Sequence, residues 1–223
     1  MARTVKTGNT RDKIIRVSTR LFLEQGYSAT TVQMISTEIG ISKGLFTFHF
    51  PTKEDVLALL TNMLCEFQRE MMEYEAGEGI SSLLSICLEL MTMASACEES
   101  DVAKDFLIST YQSAKCLEII HNNDTARAKI VFAEYCPDWT DEQFREAEIL
   151  VAGIEQATLN AIDKTVSLET RISGALNTIM MIYNVPEEIR RIKIEKVLAI
   201  NYRKLGKRIF KEFKEYVEKE NAF

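Results

Sequence analysis

Proline is nearly missing from this chain. Only three occur in 223 residues, at positions 51, 137 and 186, so long helices meet few interruptions. Histidine is scarcer still, with His49 and His121 alone. No nucleophile elbow, P-loop or glycine-rich nucleotide loop is present, which argues against an enzyme. Glu118 and His121 have the E-x-x-H spacing of di-iron bundles, but such a site needs a second copy and further carboxylates. His49 has Phe46 three residues before it, so neither a metal nor a cofactor is expected. The five cysteines (65, 87, 97, 116 and 136) are odd in number and form no C-x-x-C. A disulfide framework and a zinc knuckle are therefore not indicated, and reduced thiols in a cytoplasmic protein are expected. No apolar run is long enough to span a membrane, and residues 1–10 lack the apolar stretch of a signal peptide. Alternating strand patterns, internal repeats and low-complexity segments are absent.

What is present is apolar and helical. The chain is 46% hydrophobic, enough for a sizeable core. Its net charge of −6 conceals a split: residues 1–53 carry +5 and the remainder −11. A basic head on an acidic body suits a head that meets a polyanion and a body that avoids it.

Helical periodicity predicts ten helices, at about 10–25, 31–39, 43–49, 53–75, 80–98, 101–122, 124–135, 140–163, 167–184 and 187–219. In the first, Ile14, Ile15, Ser18, Leu21 and Phe22 face inward. In the fourth, Val56, Leu60, Leu64, Phe67 and Met71 do so, and no breaker precedes Gly77 and Gly79. Asn122-Asn123 is read as the end of the sixth helix and Pro137 as the stop after the seventh. The eighth carries two apolar stripes: Ala147, Leu150, Val151, Ile154, Ala157 and Ala161, then Phe144, Ile149, Gly153, Leu159 and Ile162. A helix apolar on two sides is buried in its own domain or packs on a partner as well. The amphipathic tail, with Ile209, Phe210, Phe213, Tyr216 and Val217, is expected to dock on its own domain, not on a membrane.

Residues 30–53 carry the sharpest signal. Val32, Ile35, Ser36 and Ile39 make one buried stripe. Thr30 and Gln33 have capping-box spacing before it, and Gly40 follows it where a left-handed residue ends a helix. Ser42 can cap a short helix from Lys43 to His49, Pro51 stops that helix, and Thr52 with Asp55 caps the next. Helix, glycine turn and short second helix make a helix-turn-helix DNA reader.

Residues 11–57 resemble the DNA-binding head of the TetR family of bacterial regulators. The resemblance rests on Ile14, Ile15, Phe22, Gly26-Tyr27, Thr30-Thr31-Val32, Ile35, Gly40-Ile41-Ser42-Lys43-Gly44, Phe46, Phe50 and Lys53-Glu54. It implies a homodimer with each third helix in a major groove of a palindromic operator. It also implies an effector cavity among the middle helices and dimerisation through the two long helices after it, here the eighth and ninth. The chain departs from the family pattern at Thr47, where a phosphate-reaching tyrosine is common, and at Ser18 and Ser36, where alanine is usual.

The expected architecture is all-α: a three-helix helix-turn-helix domain over 1–53, and a helical ligand-binding and dimerisation bundle over 54–223. The DNA-binding candidates are Thr31, Gln33, Ser42, Lys43, Leu45, Thr47, Phe48, His49 and Lys53, with Arg3, Lys6 and Arg11 as a basic arm. Cys87, Met91, Met93, Phe106, Tyr111 and Trp139 are candidates to line a ligand cavity. Leu150, Ile154, Ala157, Ala161, Ile172, Leu176 and Ile179 are candidates for the dimer interface. The expected partners are palindromic double-stranded DNA, a second copy of the chain and a small-molecule effector, with no membrane. The function read from these residues is a ligand-responsive repressor. The rival readings are an activator, a regulator controlled by a protein or by cysteine oxidation, and an all-helical enzyme.

Overall fold

A computed structural model describes residues 10–77, 82–161 and 165–220. Arg3, Lys6, Gly79 and Ile162 therefore lie outside the described residues. The described residues form helices and no strand: α1 (Thr10–Gln25), α2 (Val32–Ile39), α3 (Lys43–His49), α4 (Lys53–Ala76), α5 (Leu83–Glu99), α6 (Asp101–Gln112), α7 (Ala114–Val131), α8 (Asp141–Leu159), α9 (Leu168–Ile182), α10 (Glu187–Ala199) and α11 (Tyr202–Glu220). None of them is long and apolar enough to cross a membrane.

Two boundaries differ from the periodicity. The helix expected to end at Asn122-Asn123 ends instead at Ser113. That residue closes α6 through its N–H to the Ser109 carbonyl, and its hydroxyl caps α7 by accepting from Cys116 N. The asparagine pair does not break α7, because the Asn123 amide is satisfied inside the bundle. It donates to the Ile119 carbonyl at 3.0 Å and to Asn62 on α4 at 3.3 Å. The expected helix 187–219 is two helices. Ile200 is extended, and the Asn201 side chain accepts from Lys204 N to start α11.

α4 is the spine, packed against both α5 and α7. It runs from the head, where Val56, Leu57 and Leu60 are buried, into the body, where Leu64, Gln68 and Met72 are. α11 lies across α5 and reaches α1. Its inner stripe is Tyr202, Gly206, Ile209, Phe213 and Val217. At Gly206 a β-carbon would stand 3.1 Å from the Thr92 carbonyl, so glycine sets how closely α11 approaches α5.

The two stripes read on α8 sort differently. Phe144, Ala147, Glu148, Val151, Ala152 and Leu159 face the interior. Ile149, Leu150, Gly153 and Ala157 face outward, and Ile154 and Ala161 are half-buried. On α9, Ile172, Leu176 and Ile179 are buried in the chain's own core. The outward residues of α9 are Gly174, Thr178 and Met181. Helical spacing could not distinguish the two faces, because both are apolar.

Candidate nucleic-acid interface and adjoining cavity

The head is built from local capping chemistry. α2 starts at Thr31, whose side chain accepts from Met34 N at 3.2 Å. Thr30 is not the cap, contrary to the spacing. It is fully buried and its hydroxyl donates to the Gly26 carbonyl at 2.7 Å. Gln33 donates to the Thr37 hydroxyl instead of closing a capping box. α2 ends at Gly40, with φ 77°, where Ile41 N reaches the Ser36 carbonyl and Gly40 N the Thr37 carbonyl. That pair of bonds closes a Schellman turn and requires the left-handed residue. Ser42 caps α3 by accepting from Leu45 N at 3.1 Å. Thr52 and Asp55 form a reciprocal capping box on α4, with Thr52 N donating to Asp55 at 2.7 Å.

Phe46 and Phe50 anchor α3 in the core. Their burial leaves Ser42, Lys43, Leu45, Thr47 and Phe48 exposed, with Thr31 and Gln33 also at the surface. Phe48 is 80% exposed, an unusual position for a phenyl ring, and its edge meets the half-buried His49. The Thr47 hydroxyl donates to the Gly44 carbonyl at 3.1 Å. Its methyl group and its oxygen lone pairs remain for a partner.

Lys53 is placed differently from the other basic candidates. Its ammonium donates to the Tyr27 and Thr30 carbonyls, each at 2.8 Å, and lies 4.1 Å from the Tyr27 ring centroid. Burial lowers its pKa, against the pull of Asp105. In this position Lys53 braces the turn between α1 and α2. Arg11 lies on α1 over the Phe50 ring, at 5.1 Å.

Polar contacts tie the head to the body, and spacing did not reveal them. Asp105 on α6 accepts from Ser28 N at 2.9 Å. The Ser113 hydroxyl donates to Glu54 at 2.6 Å, and Lys115 pairs with Asp55 at 2.6 Å. Lys214 on α11 pairs with Glu24 on α1 at 2.7 Å. The α6–α7 corner therefore grips the first turn of α4.

Behind that corner lies a cavity of about 60 Å3. It is lined from α4, α5, α6, α7, α8 and α9. Of the expected ligand residues, Tyr111 and Met93 line it. Cys87, Met91 and Phe106 are buried in the core outside its lining, and Trp139 packs on Phe144 and Tyr183. The polar wall consists of residues that apolar pattern-reading passes over. Glu89 and Arg127 pair at 2.5 Å, and Arg127 also donates to Ser85. Tyr111 donates to Glu155 at 2.9 Å, and Tyr183 donates to Glu148. Asp124 completes the wall. Burial raises all three unpaired acids: Glu148 to about 7, Glu155 to about 8 and Asp124 well above the usual carboxylate range. The available signal was the helical spacing that puts Glu148 and Glu155 in step with the buried Phe144, Val151 and Leu159 of α8, on the side that lines the cavity.

Comparison with known proteins agrees with this geometry. Residues 14–60 match the family model for bacterial regulatory proteins of the tetR family. The chain is 34% identical over 110 residues to the HTH-type transcriptional regulator HbdR of an Aromatoleum species, covering 48% of this chain and 45% of that one. It is 36% identical over 85 residues to LmrA, another such regulator, from Bacillus subtilis, covering 38% and 39%. The chain thus matches less than half the length of these curated relatives. Its fold is similar to that of Thermus thermophilus FadR, a TetR-family transcriptional repressor solved with lauroyl-CoA. That match has a TM-score of 0.57 at 19% identity and covers 76% of this chain and 93% of that one. Over residues 14–60, its helix-turn-helix head, the chain is similar to the bacterial regulatory proteins of the tetR family.

Proposed function

We propose that the chain is a ligand-responsive transcriptional repressor that binds a palindromic duplex as a homodimer, with a head over 1–53 and a body over 54–223. The observation that carries the reading is α3: a short helix capped at its start, anchored by Phe46 and Phe50, with Lys43, Leu45, Thr47 and Phe48 turned outward. A major groove admits one such helix, and bases are read from its exposed face. Lys43 supplies a guanine or phosphate contact. Phe48 and the Thr47 methyl supply apolar contact to thymine. Ser42, Thr31, Gln33 and His49 stand beside them for backbone oxygens. Lys53, held by two carbonyls, is assigned to bracing.

The dimer reading rests on the outward faces of α8 and α9. Ile149, Leu150 and Met181 are each more than half exposed, next to the small residues Gly153, Ala157 and Gly174. Pairing these faces across a two-fold axis would bury them and carry two heads. A guest in the cavity would press on α4 and on the α6–α7 corner that holds its first turn. The α3 helices would then leave the spacing of successive major grooves, about 34 Å. The guest weakens DNA binding by its differential affinity for the two arrangements and by no more.

The test is selection of bound fragments from a random duplex pool with the purified full chain. A symmetric site with half-sites about one helical turn apart is the expected outcome. Enrichment of no sequence, or of an asymmetric single half-site, would sink the reading.

A further inference from the structure

The cavity has an uneven charge inventory. Four carboxyl groups face it: Glu89 from α5, Asp124 from α7, and Glu148 and Glu155 from α8. Arg127 is the one basic side chain in its wall, and Glu89 already holds it. The other titratable groups are Tyr111 and Tyr183, whose hydroxyls serve Glu155 and Glu148, and the Cys65 thiol on α4, whose pKa burial raises. A buried ionised carboxylate without a cation is costly, so an empty cavity keeps part of this set protonated.

A second observation does not depend on the acids. Gln68 on α4 is 97% buried and lines the same space, yet its amide nitrogen has no hydrogen-bond partner. An unmet buried amide is costly. A half-turn of that amide offers either a donor or an acceptor to a guest. The remaining wall is apolar and aromatic, with Leu64, Ile86, Met93, Val151, Phe132 and the Tyr183 ring stacked on Phe132. Among the described residues, no three His, Cys, Asp or Glu side chains converge as metal ligands would.

We propose that the cavity binds an organic cation, an ammonium or amidinium on an apolar or aromatic body, with Asp124, Glu148 and Glu155 as its counter-charge. The proposal rests on the reading of this cavity as the effector site. The apolar wall takes the body of the guest, and the Tyr183 and Phe132 rings add cation–π attraction. The carboxyls ionise as the guest enters, so binding releases protons to solvent. Cation affinity therefore rises with pH across the range where these acids titrate. An anionic guest finds three acids and one guanidinium that is already paired.

The experiment is isothermal titration of the full chain, without DNA, against three probes of one shape. They are benzyltrimethylammonium, its neutral carbon isostere neopentylbenzene, and benzylsulfonate. At pH 8 the ammonium is expected to bind at least tenfold tighter than either of the others. Its heat should vary with the ionisation enthalpy of the buffer, which reads proton release, and its affinity should fall at pH 6. Glu155→Gln and Asp124→Asn keep side-chain shape and should weaken the cation at least tenfold while leaving the neutral probe unchanged. Circular dichroism confirms the fold of each variant, and Glu148→Gln replaces either one that does not fold. Equal or tighter binding of the neutral or anionic probe, binding of none of the three, or cation binding without proton release would overturn the proposal. Addition of the cation to the protein–operator complex separates the two readings. A cation that binds but leaves DNA affinity unchanged sinks the regulatory coupling and leaves the ligand class standing.

Discussion

The head and the body place their polar chemistry on opposite sides of their helices. α3 turns its polar residues and one bare phenyl ring outward, while its two other phenylalanines are buried. α8 turns isoleucine and leucine outward and draws Glu148 and Glu155 toward the interior. An outward lysine asks nothing of the rest of the fold. An inward glutamate is tolerated only where hydrogen bonds or a raised pKa offset its desolvation. The difference separates a surface that acts on whatever arrives from an interior that waits for a specific guest.

The largest expected effect comes from charging the outward face of the body. Leu150→Arg sits at a residue that is 56% exposed in the single chain, so the fold of one copy should be unaffected. In a symmetric dimer it places two unpaired charges in one contact, each costing roughly 3–5 kcal/mol if buried. Sedimentation should show monomers, and operator binding should collapse with the dimer. A variant that stays dimeric would show that α8 does not carry the interface.

Next is the anchor of the head. Phe46 is fully buried, and its replacement by alanine should cost about 3–5 kcal/mol. Hydrogen exchange should then accelerate in α1, α2 and α3 while α5, α8 and α9 keep their protection. Equal loss in both regions would mean that head and body fold as one unit, and the contrast drawn above would have no energetic counterpart.

The acids of the body predict a pH dependence. Glu148 and Glu155 are raised from an ordinary value of 4.5 to about 7 and about 8, chiefly by burial. A carboxyl raised on folding binds its proton more tightly in the native state. Its stabilising effect is complete below pH 4.5 and is lost as pH rises through 7 to 8. The thermal midpoint should therefore fall between pH 5 and pH 8.5, with a slope of at most about 1.4 kcal/mol per proton and pH unit. His121, lowered from 6.5 by burial, acts the other way, its stabilising effect being lost as pH falls below 6.5. Comparison with Glu155→Gln isolates the carboxyl, and the variant's curve should be flatter. Parallel curves would show that Glu155 does not titrate in this window.

These contrasts also explain what could be read from residues in a row. Caps and turns depend on neighbours in sequence, so Gly40, Ser42 and the Thr52–Asp55 box were all legible. The start of α2 slipped by one residue because Thr30 and Thr31 are both able to cap, and only burial against Gly26 tells them apart. Non-local contacts were not legible. Asn123 continues a helix because Asn62 stands opposite it, and Ser113 ends one while holding Glu54. The polar wall of the cavity was illegible for a related reason. Apolar residues were taken as its lining, yet its distinguishing residues are the charged ones on inward stripes, whose partners come from other helices.

A smaller effect is expected on the outward face of α3. The Thr47 hydroxyl proton is held by the Gly44 carbonyl, so this residue offers DNA a methyl group and lone pairs but no donor. Thr47→Ala should relax preference at one symmetric pair of operator positions, by about 1–3 kcal/mol at most. Nonspecific affinity should hardly change. Thr47→Tyr, with a longer reach, should raise affinity for all sequences through a phosphate. Selections on randomised operators with wild type and both variants read this directly, and identical preferences for wild type and Thr47→Ala would reduce Thr47 to a helix-packing residue.

The smallest effect tests the one place where the head imitates the body. Ser36 is 1% exposed inside the crossing of α2 and α3, and its hydroxyl has no partner. Ser18 on α1 is fully buried and equally unmet. In the cavity an unmet polar atom faces space that a guest can fill. Neither serine lines that cavity, so the hydroxyl is a plain cost. Alanine fits the same volume without the oxygen, and Ser36→Ala should stabilise the head by about 1 kcal/mol. The gain should appear as slower hydrogen exchange in α1 to α3 with unchanged operator affinity. Gln68→Leu is the matching change in the body. It too removes an unmet polar atom and should stabilise the empty protein, but at the expense of polar recognition in the cavity. If Ser36→Ala instead weakens DNA binding while the head stays folded, the hydroxyl has a partner in the bound state. The head would then share the body's device of leaving a buried polar group open for what arrives.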